Sequence, residues 1–176
     1  MDRWDQRFCE MARFVSRWSK DPNAKVGAVL FCKRGGDISI GYNGFPMDVE
    51  DSVERLNDKQ IKLEMIVHAE VNALIAAGGR AVGATIYVWG KPVCARCAGL
   101  IIQAGVKRVV ALAPESVPSD SNWRKTGEIA HEMFKEAGIQ TDFYVFDDDG
   151  AAAPALPIVP AASVAGTPPS DTPAKK

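Results

Sequence analysis

Apolar residues first recur at Trp4, Phe8, Met11, Val15 and Trp18, in steps of 4, 3, 4 and 3. That spacing predicts a helix with one apolar stripe packed on a sheet, and Arg3, Arg7, Arg13 and Arg17 lie largely outside the stripe. Asp21-Pro22-Asn23 ends it. Residues 25–31 (KVGAVLF) and 37–42 (DISIGY) are short β-rich runs around the turn Arg34-Gly35-Gly36, so they predict an antiparallel hairpin. Residues 41–46 (GYNGFP) form a loop, and 47–62 are a polar surface excursion with some helix. Thereafter helical and extended patterns alternate: helix 68–77, strand 84–89, helix 94–105, strand 106–112, a Pro/Ser loop 113–122, helix 123–137 and strand 139–146. Ile129, Ala130, Met133, Phe134 and Ala137 are expected on the inward side of the last helix. Such alternation predicts an α/β fold with parallel pairing in the second half.

After Asp147-Asp148-Asp149 the composition changes. Residues 151–176 hold eight alanines and six prolines and end in Lys175-Lys176. A segment of that kind cannot bury enough apolar surface to offset its ordering entropy. The expected organisation is therefore one domain over 1–146 and an Ala/Pro-rich disordered tail over 147–176.

At 176 residues the chain is long enough for one domain with a proper core. A net charge of −1 gives no basic field for a polynucleotide backbone, though it leaves a local phosphate pocket open. No apolar run reaches the roughly 18 residues that span a membrane, and the acidic residues Asp2, Asp5 and Glu10 argue against a transit peptide. The four cysteines are too few for a disulfide scaffold. Cys9 and Cys32 lie in apolar patterns and read as small buried hydrophobes.

Candidate chemistry begins at His68-Ala69-Glu70, which heads the helical run HAEVNALIAAGG. The chain has two histidines, and the second, His131, lies in the late helix. Downstream, KPVCARC places Cys94 and Cys97 at the head of another helix. One imidazole and two thiolates suit zinc with its fourth position open, as catalytic sites keep it, whereas structural sites are usually closed by four protein ligands. Zinc so held lowers the pKa of a bound water to about 7. Glu70, two residues beyond His68, is placed to take a proton from that water and deliver it to a substrate. Both ligand segments open helices, whose positive ends favour thiolate over thiol. The cysteines must be reduced to bind metal, which fits a cytoplasmic compartment. The chemistry such a group supports is hydrolytic deamination of an amidine-type carbon. A lone CxxC also occurs in structural zinc knuckles, so a non-catalytic zinc-binding interaction module stays open as an alternative.

Histidine-x-glutamate followed by Pro-Cys-x-x-Cys is the signature of zinc deaminases. The chain resembles the cytidine/deoxycytidylate deaminase superfamily and, within it, the deoxycytidylate deaminases, through SKDPNAKVGAVL (19–30), GYNGFP (41–46), HAEVNAL (68–74) and CAGLIIQAGVKRVV (97–110). The resemblance runs from about residue 13 to residue 144. It implies a three-layer α/β/α cytidine-deaminase-like fold, with a mixed five-stranded sheet that has an N-terminal antiparallel hairpin and later parallel strands. It also implies Zn2+ on His68, Cys94 and Cys97, with Glu70 as proton shuttle and conversion of dCMP to dUMP with release of ammonia. The Ala69 backbone is expected at the pyrimidine edge and Asn43 at the sugar or base. Lys20, Asn23 and Lys25 are expected near the phosphate, as is the loop before Trp123. Members of the family often form homo-oligomers, dimers or hexamers, that respond to dCTP and dTTP, and no residue set here commits to those effectors. One departure stands out. The family places proline directly before the first cysteine, and here Val93 intervenes between Pro92 and Cys94. That turn lines the base pocket, so a 5-substituted dCMP, cytidine, guanine or a tRNA adenosine remains an alternative substrate.

Overall fold

The strands pair in the order β2-β1-β3-β4-β5-β6 in a computed structural model that describes residues 2–144 and 158–160. They are β1 (Gly27–Cys32), β2 (Asp37–Tyr42), β3 (Thr85–Trp89), β4 (Arg108–Leu112), β5 (Gln140–Tyr144) and β6 (Ile158–Pro160). β1 pairs antiparallel with both β2 and β3, while β3, β4 and β5 run parallel to one another. The five strands expected from the sequence are thus present with the expected hairpin and parallel half. The sixth is additional: Ile158–Pro160, inside the stretch expected to be a disordered tail, pairs antiparallel with β5. It holds two adjacent β-branched residues, and its proline sits on an edge strand, where a missing N–H costs least. The rest of that expected tail, and the boundary at 146/147, lie outside the described residues.

The helices are α1 (Arg3–Ser16), α2 (Val53–Asn57), α3 (Lys59–Met65), α4 (Ala69–Ala77), α5 (Ala95–Gln103) and α6 (Asn122–Glu136). α4, α5 and α6 share a core with one face of the sheet, built around Leu30, Ile86, Val88, Ile101, Val109 and Phe134. α1 covers the other face through Phe8, Cys9 and Ala12 against Val29, Tyr87 and Val110. These are the three expected layers. α6 buries Gly127, Ala130 and Phe134 but leaves Ile129 exposed, so its inward side is narrower than its apolar pattern.

α1 is rolled relative to its apolar stripe. Trp4, Met11 and Trp18 are exposed, and the buried positions are Asp5, Phe8, Cys9, Ala12, Val15 and Ser16. The cause is a close approach: a Cβ on Gly27 would stand 2.1 Å from the Ala12 carbonyl oxygen. The helix therefore settles on the sheet through small residues, and its bulky aromatics are left at the sides. Rolling also buries Asp5. Its carboxylate accepts from Tyr87 Oη at 2.7 Å and from both terminal nitrogens of Arg108 at 2.6 and 2.9 Å, while Arg108 Nε reaches Asp142 at 2.6 Å. One guanidinium thereby ties α1, β4 and β5 together. Cys9, buried beside this group, has its thiol pushed up to about 12 by burial and then by the Asp5 charge, which makes it inert.

Two predictions follow from this packing. Burial alone would raise the Asp5 pKa, but the bonds from Arg108 and Tyr87 prevail and hold it below 3.8. A depressed carboxylate stabilises the fold above its unfolded pKa and loses that contribution as pH falls through the folded value. Asp5→Asn should therefore cost about 3 kcal/mol at pH 7, by stranding a partly buried guanidinium, and less as the pH drops below 4, read by denaturant melts across that range. Gly41, on β2, is equally constrained: a Cβ there would stand 2.3 Å from Ala69 O and 2.4 Å from Ala73 N, both backbone atoms of α4. Gly41→Ala should push α4 off the sheet at a cost of about 3 kcal/mol, visible as a lowered melting temperature.

Candidate active site

The edge of the sheet carrying Gly27, Tyr42 and Trp89, which are register partners, is where the chemistry-bearing segments gather. The loop after β2 is pinned from both sides. Gly44 and Val67 exchange backbone bonds of 3.1 and 2.8 Å, and Asn43 N donates to Val26 O at 3.2 Å. His68 follows as the N-cap of α4, and Cys94 is the N-cap of α5 after the turn 90–93. Neither side chain makes a capping bond, so both are free for another use. Tyr144, at the end of β5, steadies that turn: its hydroxyl accepts from Gly90 N at 3.2 Å and donates to Val88 O at 2.8 Å.

His68 Nδ1 lies 3.5 Å from Cys94 Sγ and 3.3 Å from Cys97 Sγ, and the three ligand atoms fall within 4.8 Å of one another. In a tetrahedral site with Zn–N near 2.0 Å and Zn–S near 2.3 Å, neighbouring N and S donors stand about 3.5 Å apart. The group fits zinc in donor type and spacing. Among the described residues, no other set of three such side chains comes together.

The electrostatics agree. The hydrogen bond from Cys97, aided by His68, brings Cys94 down to about 4, while Cys97 is pushed well up by its bond to Cys94 and by burial. The bond to Cys94 also raises His68. Glu70 is buried, and burial raises its carboxyl above the usual range despite the His68 charge. Its side chain is within hydrogen-bonding reach of the Cys97 sulfur, which sets it against the ligand cluster.

A cavity of about 400 Å³ opens over this group, a size that suits a small ligand. His68, Ala69 and Glu70 line it, as do Asn23 and Asn43. Asn43 is buried and largely occupied: its Oδ1 accepts from Val26 N and its Nδ2 donates to Ala24 O, each at 2.8 Å. It therefore shapes the wall as well as facing the cavity. Lys20 and Lys25, expected near a phosphate, do not line the cavity. Lys20 is exposed and pairs with Asp51 at 2.8 Å, and Lys25 turns its ammonium onto Ser19 O. In their place stand Lys59, Lys62 and Lys91, with Asp21 and Trp123. Trp123 lies beside the His68 ring at 5.8 Å between centroids and 34° between planes. Sequence reasoning missed the three lysines. α2 and α3 carry no clean periodicity, and Lys91 sits in the turn where Val93 departs from the expected family pattern. The one usable signal was the density of lysines just ahead of His68.

Residues 2–113 match the family model for the cytidine and deoxycytidylate deaminase zinc-binding region. An uncharacterized deaminase from the luxG 3′ region of Aliivibrio fischeri is 36% identical over 148 residues, 84% of this chain and 97% of that protein. Human deoxycytidylate deaminase is 34% identical over 142 residues, 77% of this chain and 76% of that protein. The dCMP deaminase of cyanophage S-TIM5, solved in complex with dCMP and dUMP, shares the fold with a TM-score of 0.60 at 21% identity, covering 80% of this chain and 97% of that one. The chain belongs to the cytidine and deoxycytidylate deaminase family, whose members are zinc-dependent hydrolytic deaminases. The Zn2+ expected from the sequence is the cofactor of that family, and the His/Cys/Cys group suits it.

Zinc occupancy should depend on pH in a definite direction. Cys97 must lose its proton to become a ligand, so affinity should rise with pH, by about tenfold per unit for each proton released. Competition with a chromophoric chelator between pH 6 and 8 measures this. His68→Ala and Cys97→Ser should each abolish one-to-one zinc retention in metal analysis.

Proposed function

We propose that this enzyme deaminates dCMP to dUMP with release of ammonia, in the cytoplasm, supplying the precursor of thymidylate. The observation that carries the reading is the buried Glu70 lining, together with His68, a cavity of nucleotide size, with Cys94 and Cys97 gathered on that same His68. Support for the substrate comes from the human relative, a deoxycytidylate deaminase, together with SKDP (19–22) and GYNGFP (41–46), which flank that cavity. Fourteen large hydrophobic side chains are exposed among the described residues, including Ile75, Val82 and Leu100 around α4 and α5, which supports a homo-oligomer. No helix of the described residues is long and apolar enough to cross a membrane.

In this reading His68, Cys94 and Cys97 hold the zinc, which when bound acidifies water and directs it at the base. Glu70 does the proton work. Its pocket raises the carboxyl pKa, which brings the protonated and ionised forms closer in energy and suits a group that must both accept and donate. Glu70 accepts a proton from the attacking water and passes it to the ring N3 as the oxygen bonds to C4. It then carries the second proton to the exocyclic nitrogen, and the C4–N bond breaks to release ammonia. The Ala69 backbone meets the pyrimidine edge, Asn43 lines the sugar or base side, Asn23 lines the cavity toward the phosphate, and Trp123 lies beside the His68 ring.

Glu70→Gln keeps the shape of the side chain and removes its proton chemistry. The variant should retain one zinc per chain, while kcat on dCMP falls by about 10³-fold, followed as loss of cytosine absorbance. Undiminished turnover by this variant would overturn the assignment. Wild-type protein should consume dCMP in preference to deoxycytidine, dCTP and AMP.

A further inference from the structure

The charges around the cavity do not cancel, and the remainder has a chemical meaning. Five ionisable side chains other than His68 line it: Asp21, Lys59, Lys62, Glu70 and Lys91. Lys62 and Asp21 neutralise each other in a buried pair at 2.9 Å, with side chains only 8% and 4% exposed. Asp21 is further committed through Oδ1, which accepts from Asn23 N and Ala24 N. Glu70 belongs to the reaction centre. That leaves Lys59 on α3 and Lys91 on the turn before α5, neither of which has a carboxylate within salt-bridge distance among the described residues. Two uncompensated cations thus face one cavity in a chain whose net charge is −1. A cytosine ring and a sugar are uncharged and give such cations nothing to bind, whereas a phosphate monoester near neutral pH carries almost two negative charges.

We propose that Lys59 and Lys91 are the residues by which this enzyme reads a 5′-monophosphate, and that the buried Lys62–Asp21 pair is the clamp that brings α3, with Lys59, to the cavity. The assignment rests on the nucleotide reading above and deepens it. It departs from the sequence expectation, which put the phosphate at Lys20, Asn23 and Lys25 and near the loop before Trp123. It also gives a role to the turn that carries Val93, since Lys91 belongs to that turn. The ammonium groups bind as point charges on flexible stems, so each contributes attraction without fixing a geometry.

The experiment compares wild type, Lys59→Gln, Lys91→Gln and the double variant in two measurements. The first is calorimetric binding of dUMP and of deoxyuridine, which needs no turnover. Each single change should weaken dUMP by about 10-fold and the double by about 100-fold, with deoxyuridine much less affected, and the salt dependence of dUMP binding should flatten. The second is the ratio of kcat/KM for dCMP over deoxycytidine, which should fall by the same factors. Unchanged dUMP affinity in the double variant overturns the assignment, and so does parallel weakening of dUMP and deoxyuridine. A wild-type protein that binds and deaminates no pyrimidine nucleotide overturns the underlying reading instead, so the two failures are distinguishable.

Discussion

Three donor atoms on two helices must meet within one coordination sphere, and most of the architecture can be traced to that requirement. His68 and Cys94 are helix N-caps, so each lies where an extended segment turns into a helix. For both turns to occur side by side, α4 and α5 must begin at one edge of the sheet. β3 and the parallel crossover into β4 deliver α5 there, and contact between Gly41 and the backbone of α4 delivers the other helix. The Gly44–Val67 bridge and the two bonds made by the Asn43 amide then fix the strand ends that frame the ligands. The positive ends of both helices point at the same spot, which favours thiolate there.

Much of this was legible in the sequence, and what was legible was local. Periodicity located the helices and strands to within a few residues, and the β-rich runs around Gly35-Gly36 predicted the hairpin. His68, Glu70, Cys94 and Cys97 could be found because their chemistry needs those residue types close to helix starts. The illegible features depended on distant partners. The roll of α1 is set by Gly27, and the burial of Asp5 by Arg108, more than a hundred residues away. Lys20 and Lys25 are expected near the phosphate because the family resemblance puts that group at the turn 19–25. Their sequence neighbourhood could not reveal that Asp51 and the Ser19 carbonyl occupy them. Lys62 reaches Asp21 across 41 positions of sequence, from a segment with no pattern that would place it.

The excursion between β2 and α4 shows how an irregular stretch acquires a fixed position. α2 and α3 are short, capped by Ser52 and Asp58, and bury only Leu56 and Lys62 between them. So little apolar burial cannot hold a segment by itself. The charged pair Lys62–Asp21 supplies direction: it connects α3 to the turn after α1, which also carries Ser19 and Asn23. Buried ion pairs contribute little net stability because desolvation offsets most of the attraction, but removing one partner strands a charge and costs several kcal/mol. Their effect here is positional, since α3 has one place to put its ammonium.

The same reasoning explains why the strongest polar network lies far from the cavity. A buried Glu70 with a raised pKa is unfavourable for the fold by itself. Relieving it locally would mean adding a cation beside Glu70, which would compete with the ligand. Compensation must therefore come from elsewhere in the fold. It is found on the opposite face, where Arg108 holds Asp5 and Asp142 and Tyr87 donates to Asp5. There α1, β3, β4 and β5 are joined by side chains that do not line the cavity, so stability is gained away from the chemistry.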